Sequence, residues 1–246
     1  MLEVLTLPPQ AVLFGDAVRK TGGKRYFSLE RNPEFAAVIM SLVDLAGLSE
    51  IVKVVVGSSA DSIKRLHAER ALNHIDLMFL DHYKPAYTTD LKLCEHLKLV
   101  TPGSVLAADN VIKPGNPPYL EYVRSSVAKK RDQYKAANTN GVDTAGFGDR
   151  WKNQYQKREG EEKLSTEVKG NPNLVYESGL VHSFEPTGVP VRIPYGNLLE
   201  ERSLTMAGWH RNYEMHWGGQ PGTRWHGSSR NTSFIATLLT GTRHRH

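Results

Sequence analysis

From Arg25 to about Val127 the chain alternates short apolar runs with helical patterns, and that alternation admits few folds besides a parallel sheet wrapped by helices. The candidate strands are Arg25 to Glu30, Ile51 to Gly57, Ile75 to Asp81 and Ser104 to Asp109. Between the first two, Asn32 caps a helix and Pro33 suits its first turn, while Phe35, Ile39, Leu42, Val43 and Ala46 share one face; Gly47 ends it. Further helical patterns run over Ser62 to Leu72 and Thr89 to Leu99, and another begins at Pro117 or Pro118. The fold class expected is α/β, a doubly wound, Rossmann-like and mostly parallel sheet.

Residues 124 to 170 read differently, being polar, mixed in charge and almost without aliphatic clusters. They are expected to form a long exposed insertion, helical near each end, with a loop around Asn138 to Gly148. Leu174 to Phe184 then offers one more strand. Residues 1 to 190 are read as one domain carrying that insertion, and 191 to 246 as a basic tail without regular order. The tail holds seven arginines against three glutamates, which accounts for four of the chain's five net positive charges. A near-neutral body suits a small-molecule enzyme at least as well as a polyanion binder. The alternative is that the tail binds nucleic acid through its arginines and Trp209, Trp217 and Trp225. His210, His216 and His226 match no strong zinc spacing. No apolar run is long enough to span a bilayer, and a single cysteine, Cys94, points to a reducing compartment, with cytoplasm the expectation. Cys94 itself is expected to pack on a buried helix face, and the chain is expected to be a monomer.

Ligands in open α/β sheets bind outside the carboxyl ends of the strands, so residues terminating strands matter most. The third strand ends in Asp81-His82-Tyr83-Lys84 and the fourth in Asp109-Asn110. If these strands are neighbours, two carboxylates and an amide oxygen converge, a hard-oxygen set suited to Mg²⁺. Read singly, Asp109-Asn110 is equally a turn and Asp81 equally a helix cap. Glu30 closes the first strand, where doubly wound folds place an acid on a nucleotide ribose; a capping carboxylate is its other reading.

The segments IDLMFLDHYKPAY and SVLAADNVIKPGNPPYLEYVR resemble the metal-site motifs of the catechol O-methyltransferase family, a cation-dependent class I methyltransferase family using S-adenosylmethionine. The likeness covers roughly residues 11 to 127 and a short stretch near 174 to 186. It implies Mg²⁺ on Asp81, Asp109 and Asn110, with Lys84 as the base that deprotonates a catechol-type hydroxyl. It also implies Glu30 on the adenosyl ribose, Gly57 and Ser59 beside the adenine, His82 and Tyr83 along the donor, and Glu185 near the second catechol hydroxyl. Ala60 stands where the family pattern has an amide side chain. The family's glycine-rich donor loop has no counterpart, because MLEVLTLPPQ contains no glycine and Pro8 and Pro9 fall at the loop's end. Leu2 to Leu7 is the stand-in expected for the central strand. Loss of two or three loop hydrogen bonds would lower donor affinity roughly tenfold to a thousandfold. An impaired relative that keeps the metal site is therefore the second reading. Both ends depart abruptly from the pattern, as an altered gene product or unusual splice form would.

Overall fold

The computed structural model describes residues 1–4, 8–136, 146–159, 168–184 and 231–240. Two compact units are present, Met1–Ser183 with Thr232–His246, and Phe184–Asn231, and almost all of the second lies outside the described residues. The first is a seven-stranded sheet in the order β3-β2-β1-β4-β5-β7-β6, built from β1 (Leu2–Val4), β2 (Tyr26–Glu30), β3 (Val52–Val56), β4 (Leu77–Leu80), β5 (Val105–Ala108), β6 (Val175–Phe184) and β7 (Asn231–Thr240). Strands β1 to β5 pair in parallel and β7 lies antiparallel to β5. The doubly wound reading holds. The stand-in strand also forms, since Leu2–Val4 pairs with β2 on one side and β4 on the other. Chain order reverses on either side of β1, which makes the carboxyl ends of β1 and β4 the switch point where such sheets bind ligands.

The described helices are α1 (Pro8–Lys20), α2 (Pro33–Leu45), α3 (Ser59–Ala68), α4 (Ala86–His96), α5 (Pro117–Arg124), α6 (Val127–Ala136) and α7 (Asp149–Glu159), with α3 and α4 each starting three residues before the pattern expected for it. Asn32 accepts from the Glu34 and Phe35 amides and caps α2, whose buried face is Ala36, Ile39 and Val43. Phe35, expected on that face, is instead half exposed. Positions 36, 39 and 43 already complete the stripe, and Phe35 lies one residue, about 100° of helix, to its side. One core joins β2, β4 and β5 to α3, α4 and α5, with Cys94 fully buried within it; a second packs α1 and α2 on β2 and β3.

Two segments depart from expectation. Within the 124 to 170 stretch, residues 127–136 and 149–159 are helical and 168–170 are not, and most of the loop expected around Asn138 to Gly148 lies outside the described residues. The helix α7 is not merely exposed, because Phe147 just before it and Tyr155 within it are buried against Tyr83 and Ala86. The basic tail was expected to lack regular order, whereas Asn231–Thr240 is a full strand, its run of Phe, Ile, Thr and Leu meeting the ordinary β preference.

A polar cluster behind α4 fastens this later chain to the sheet. Glu95, buried, accepts from the Tyr122 hydroxyl at 2.5 Å, from the Tyr176 hydroxyl and from the Asn171 amide at 2.7 Å. Lys130 lies between the Tyr122 and Tyr176 rings and donates to the Leu174 carbonyl at 3.0 Å. Burial pulls its ammonium down to about 8, with Glu95 opposing that shift.

Candidate active site

Strand register builds the site. Leu80 pairs with Ala108, and the Asp109 amide donates to the Leu80 carbonyl at 2.9 Å. Asp81 and Asp109 therefore leave the sheet side by side, on strands about 4.8 Å apart. The Asn110 amide donates to Asp109 Oδ1 at 2.6 Å, and Asn110 adopts left-handed backbone with φ 57°. Asparagine tolerates that region better than most residues, and its side chain is not spent on capping the π-helical turn Val111–Gly115 that follows.

Lys84 lies beside Asp81. Its Nζ donates to Asp81 Oδ1 at 3.3 Å and to the Tyr87 hydroxyl at 2.6 Å. Burial lowers its pKa below the usual lysine value, and the charges of Asp81 and Asp109 pull the other way. Asn116, fully buried, donates from Nδ2 to the Lys84 carbonyl at 2.8 Å and so fixes the turn carrying the amine. Tyr87 lies beneath, its hydroxyl 3.5 Å from the Asp109 carbonyl that accepts from it. Burial, reinforced by both carboxylates, holds that phenol well above the ordinary tyrosine range, so it stays protonated. His82 stacks on Tyr87 with centroids 5.0 Å apart, while its Nε2 lies 2.9 Å from Asp90 Oδ2.

Glu30, Gly57 and Ser59 line the same edge of the sheet. Glu30 is buried at the end of β2; its Oε1 accepts from the Asn32 amide at 2.7 Å and its Oε2 has no hydrogen-bond partner. Burial raises its pKa, with the Asn32 and Arg31 amides opposing. Gly57 follows β3 at φ +140°, a conformation that side-chain residues rarely adopt, and an added Cβ would meet Ser62 Oγ at 3.2 Å. Ser59 opens α3 beside it. Ser62 Oγ, His82 Nδ1 and Gln10 Oε1 are, like Glu30 Oε2, buried without a hydrogen-bond partner. Buried polar atoms of that kind call for a ligand or ordered water. Gln10, in the first turn of α1, also donates to Asp81 Oδ2 at 3.5 Å.

Asp81, Asp109 and Lys84 are thus brought together, with Asn110 adjoining and with Glu30, Gly57, Ser59 and His82 along the same rim. Tyr83 faces away from that rim, its hydroxyl donating to the Tyr155 carbonyl at 2.8 Å. Glu185, together with the tail's Trp209, Trp217, Trp225, His210, His216 and His226, lies outside the described residues. Among the described residues no group of three or more His, Cys, Asp or Glu is arranged to hold a metal ion. Tyr87, Asp90, Asn116 and Gln10 are site neighbours that the strand-end reading missed. Only Tyr87, three residues after Lys84 on the same turn, carries a signal in the sequence.

No described helix is long and apolar enough to cross a membrane. Residues 10–111 match a family model described as a methyltransferase domain. Catechol O-methyltransferase from Bos taurus is 44% identical over 104 residues, 42% of this chain and 38% of that protein. Catechol O-methyltransferase B from Danio rerio is 43% identical over 114 residues, 46% of this chain and 43% of its own. Transmembrane O-methyltransferase from Homo sapiens is 40% identical over 104 residues, 42% of this chain and 36% of that protein. The chain thus spans about two fifths of the length of these curated relatives. Among solved structures, an O-methyltransferase from Bacillus cereus in complex with SAH aligns with TM-score 0.50 at 17% identity, over 97% of this chain and 73% of that one, a likeness of fold alone. Residues 10–111 therefore match a methyltransferase-domain model and are similar in sequence to part of the catechol O-methyltransferases.

Proposed function

We propose that this protein transfers the methyl group of S-adenosylmethionine to a hydroxyl of a catechol-type small molecule, with Mg²⁺ bound at the tips of β4 and β5. The observation that carries the reading is the side-by-side exit of Asp81 and Asp109 from neighbouring strands, with the buried Lys84 amine 3.3 Å from one of them. Two carboxylates and the Asn110 amide make an all-oxygen set of the kind Mg²⁺ favours, with room left in its octahedron for acceptor oxygens. Bound there, the ion would supply Lewis-acid stabilisation of a phenolate and fix adjacent oxygens. S-adenosylmethionine would supply the methyl group as an electrophile.

The chain's own residues do the rest. Burial biases Lys84 toward its neutral amine, the form able to accept the hydroxyl proton. The Tyr87 hydroxyl accepts from the ammonium and can donate to the amine, so it serves Lys84 in either state. Glu30 offers the unpaired Oε2 as acceptor for a ribose hydroxyl, and the glycine backbone at Gly57 allows close approach of a flat base. Glu185 is assigned to the second acceptor hydroxyl by the family resemblance alone.

Calorimetric titration of S-adenosylmethionine into the protein with Mg²⁺ tests the donor side. Saturable binding is expected, weakened roughly tenfold or more in Glu30→Gln, where a charged acceptor is lost. No binding by the parent protein would favour the impaired relative, and equal binding by the variant would remove Glu30 from the donor site.

A further inference from the structure

The helix α7 lies beyond residues 10–111 that match the methyltransferase model, and nothing in the strand-end pattern assigns it a role. Its aromatic residues nevertheless converge on the turn that carries Lys84. Tyr83, between His82 and Lys84, is buried; its hydroxyl bonds the Tyr155 carbonyl, and its ring meets the Tyr155 ring edge-on at 5.4 Å. Phe147 packs edge-on against Tyr155 at 5.0 Å, and Trp151 stacks on it at 6.0 Å, closing a cluster that includes Ala86, the first residue of α4. On the other side the Asp81–Lys84 turn is held by Asn116. Gly146, just before Phe147, lies so near Pro117 that an added Cβ would come within 2.9 Å of its ring. The start of this aromatic segment is therefore seated on the same α5 terminus that carries Asn116.

We propose that Tyr155 is a positioning residue of the site: its ring, seated by Phe147 and Trp151, clamps Tyr83 and thereby fixes the direction in which Lys84 presents its amine. A misplaced base is costly even when every reacting group is present, because small displacements from the reactive geometry lower rates steeply. The methyl-transfer part of this inference rests on the function proposed above; the clamping part does not.

The test is Tyr155→Ala, with Tyr155→Phe as the conservative variant and exposed Lys152→Ala as the control. In Tyr155→Ala the kcat for a simple catechol is expected to fall roughly 10- to 100-fold, while donor Kd stays within about twofold and Tyr155→Phe retains near-parent turnover. Parent-like kcat in Tyr155→Ala, or a parallel loss of kcat, donor affinity and thermal stability, would overturn the positioning role. Hydrogen exchange gives a readout that needs no activity. The Ala86 and Tyr87 amides, which bond the Tyr83 and Lys84 carbonyls, are expected to exchange at least about tenfold faster in Tyr155→Ala with β2 and β3 unchanged. Unchanged exchange there would overturn the clamp whether or not the parent methylates. Should Tyr155→Ala fail to fold, Tyr83→Phe removes the hydrogen bond to the Tyr155 carbonyl and must show the same pattern at smaller size.

Discussion

Replacing Lys84 by methionine is expected to slow methyl transfer roughly 10²- to 10⁴-fold, the usual contribution of a general base. Methionine matches the length and burial of the lysine stem while removing the amine, so the Tyr83 packing and the Asn116 bond to the residue 84 carbonyl stay in place. Stability gives the contrast that makes the experiment decisive. Burial disfavours the Lys84 ammonium, and substituting an apolar side chain relieves that penalty, although it also deprives Asp81 of a cationic neighbour. The Tyr87 hydroxyl keeps its Asp109 carbonyl acceptor. Because the Asp81 carboxylate loses its buried cationic partner, the thermal midpoint is expected to fall by a few degrees, a loss far too small to account for the collapse in turnover. Radiolabel transfer to a simple catechol at saturating donor and Mg²⁺ measures the rate, and scanning calorimetry the midpoint. A rate within about threefold of the parent's would show that Lys84 is not the base.

The largest effect on stability is expected far from the chemistry, at Glu95. Its carboxylate is the shared acceptor of two buried phenols and one amide, and its charge supports the ammonium of the buried Lys130. Glu95→Ala strands all three donors at once. Breaking buried charged networks of this kind costs about 3 to 5 kcal/mol, because each orphaned donor loses water and gains nothing in exchange. Urea unfolding followed by circular dichroism should show the loss as a lower midpoint with an unchanged slope, and a change below about 1 kcal/mol would mean the cluster is solvated and not sealed. Gly170 reports on the same packing. With φ +74°, its missing Cβ would lie 2.5 Å from both Glu95 Oε2 and the Tyr122 hydroxyl, so glycine is the residue this turn demands. The cluster joins α4, whose amino end follows the Lys84 turn, to the segment leading into β6.

The sheet was legible because its cues are local. Short apolar runs ending in Glu30, Gly57, Asp81 and Asp109 needed no partner to be recognised, and Asn32, Pro33 and Gly47 mark α2 by backbone chemistry alone. Asp81 and Asp109 were legible for the same reason, as strand-terminal carboxylates whose adjacency follows once β4 and β5 are neighbours. What escaped depends on contacts between distant positions. Asn116 reaches Lys84 across 32 residues, and Tyr83 reaches Tyr155 across 72. Such pairs leave no periodic trace. The burial of α7 did leave one: Phe147, Trp151 and Tyr155 recur at spacings of four, an aromatic stripe hidden in a polar stretch whose average composition reads as solvent-exposed. In the tail, the ten-residue strand Asn231–Thr240 was masked by the arginines and glycines before it, and its antiparallel pairing with β5 could not be inferred from order along the chain.

Binding of Mn²⁺, a paramagnetic substitute for Mg²⁺, addresses the oxygen set at the β4 and β5 tips most directly, because it needs neither donor nor acceptor. Electron paramagnetic resonance of the free ion during titration is expected to reveal one saturable site per chain, competed by Mg²⁺, and lost when Asp109→Ala removes a ligand without emptying the core. The same titration curve for the parent and Asp109→Ala would place the cation elsewhere or nowhere, and the neighbouring carboxylates would then be no more than the ends of two strands.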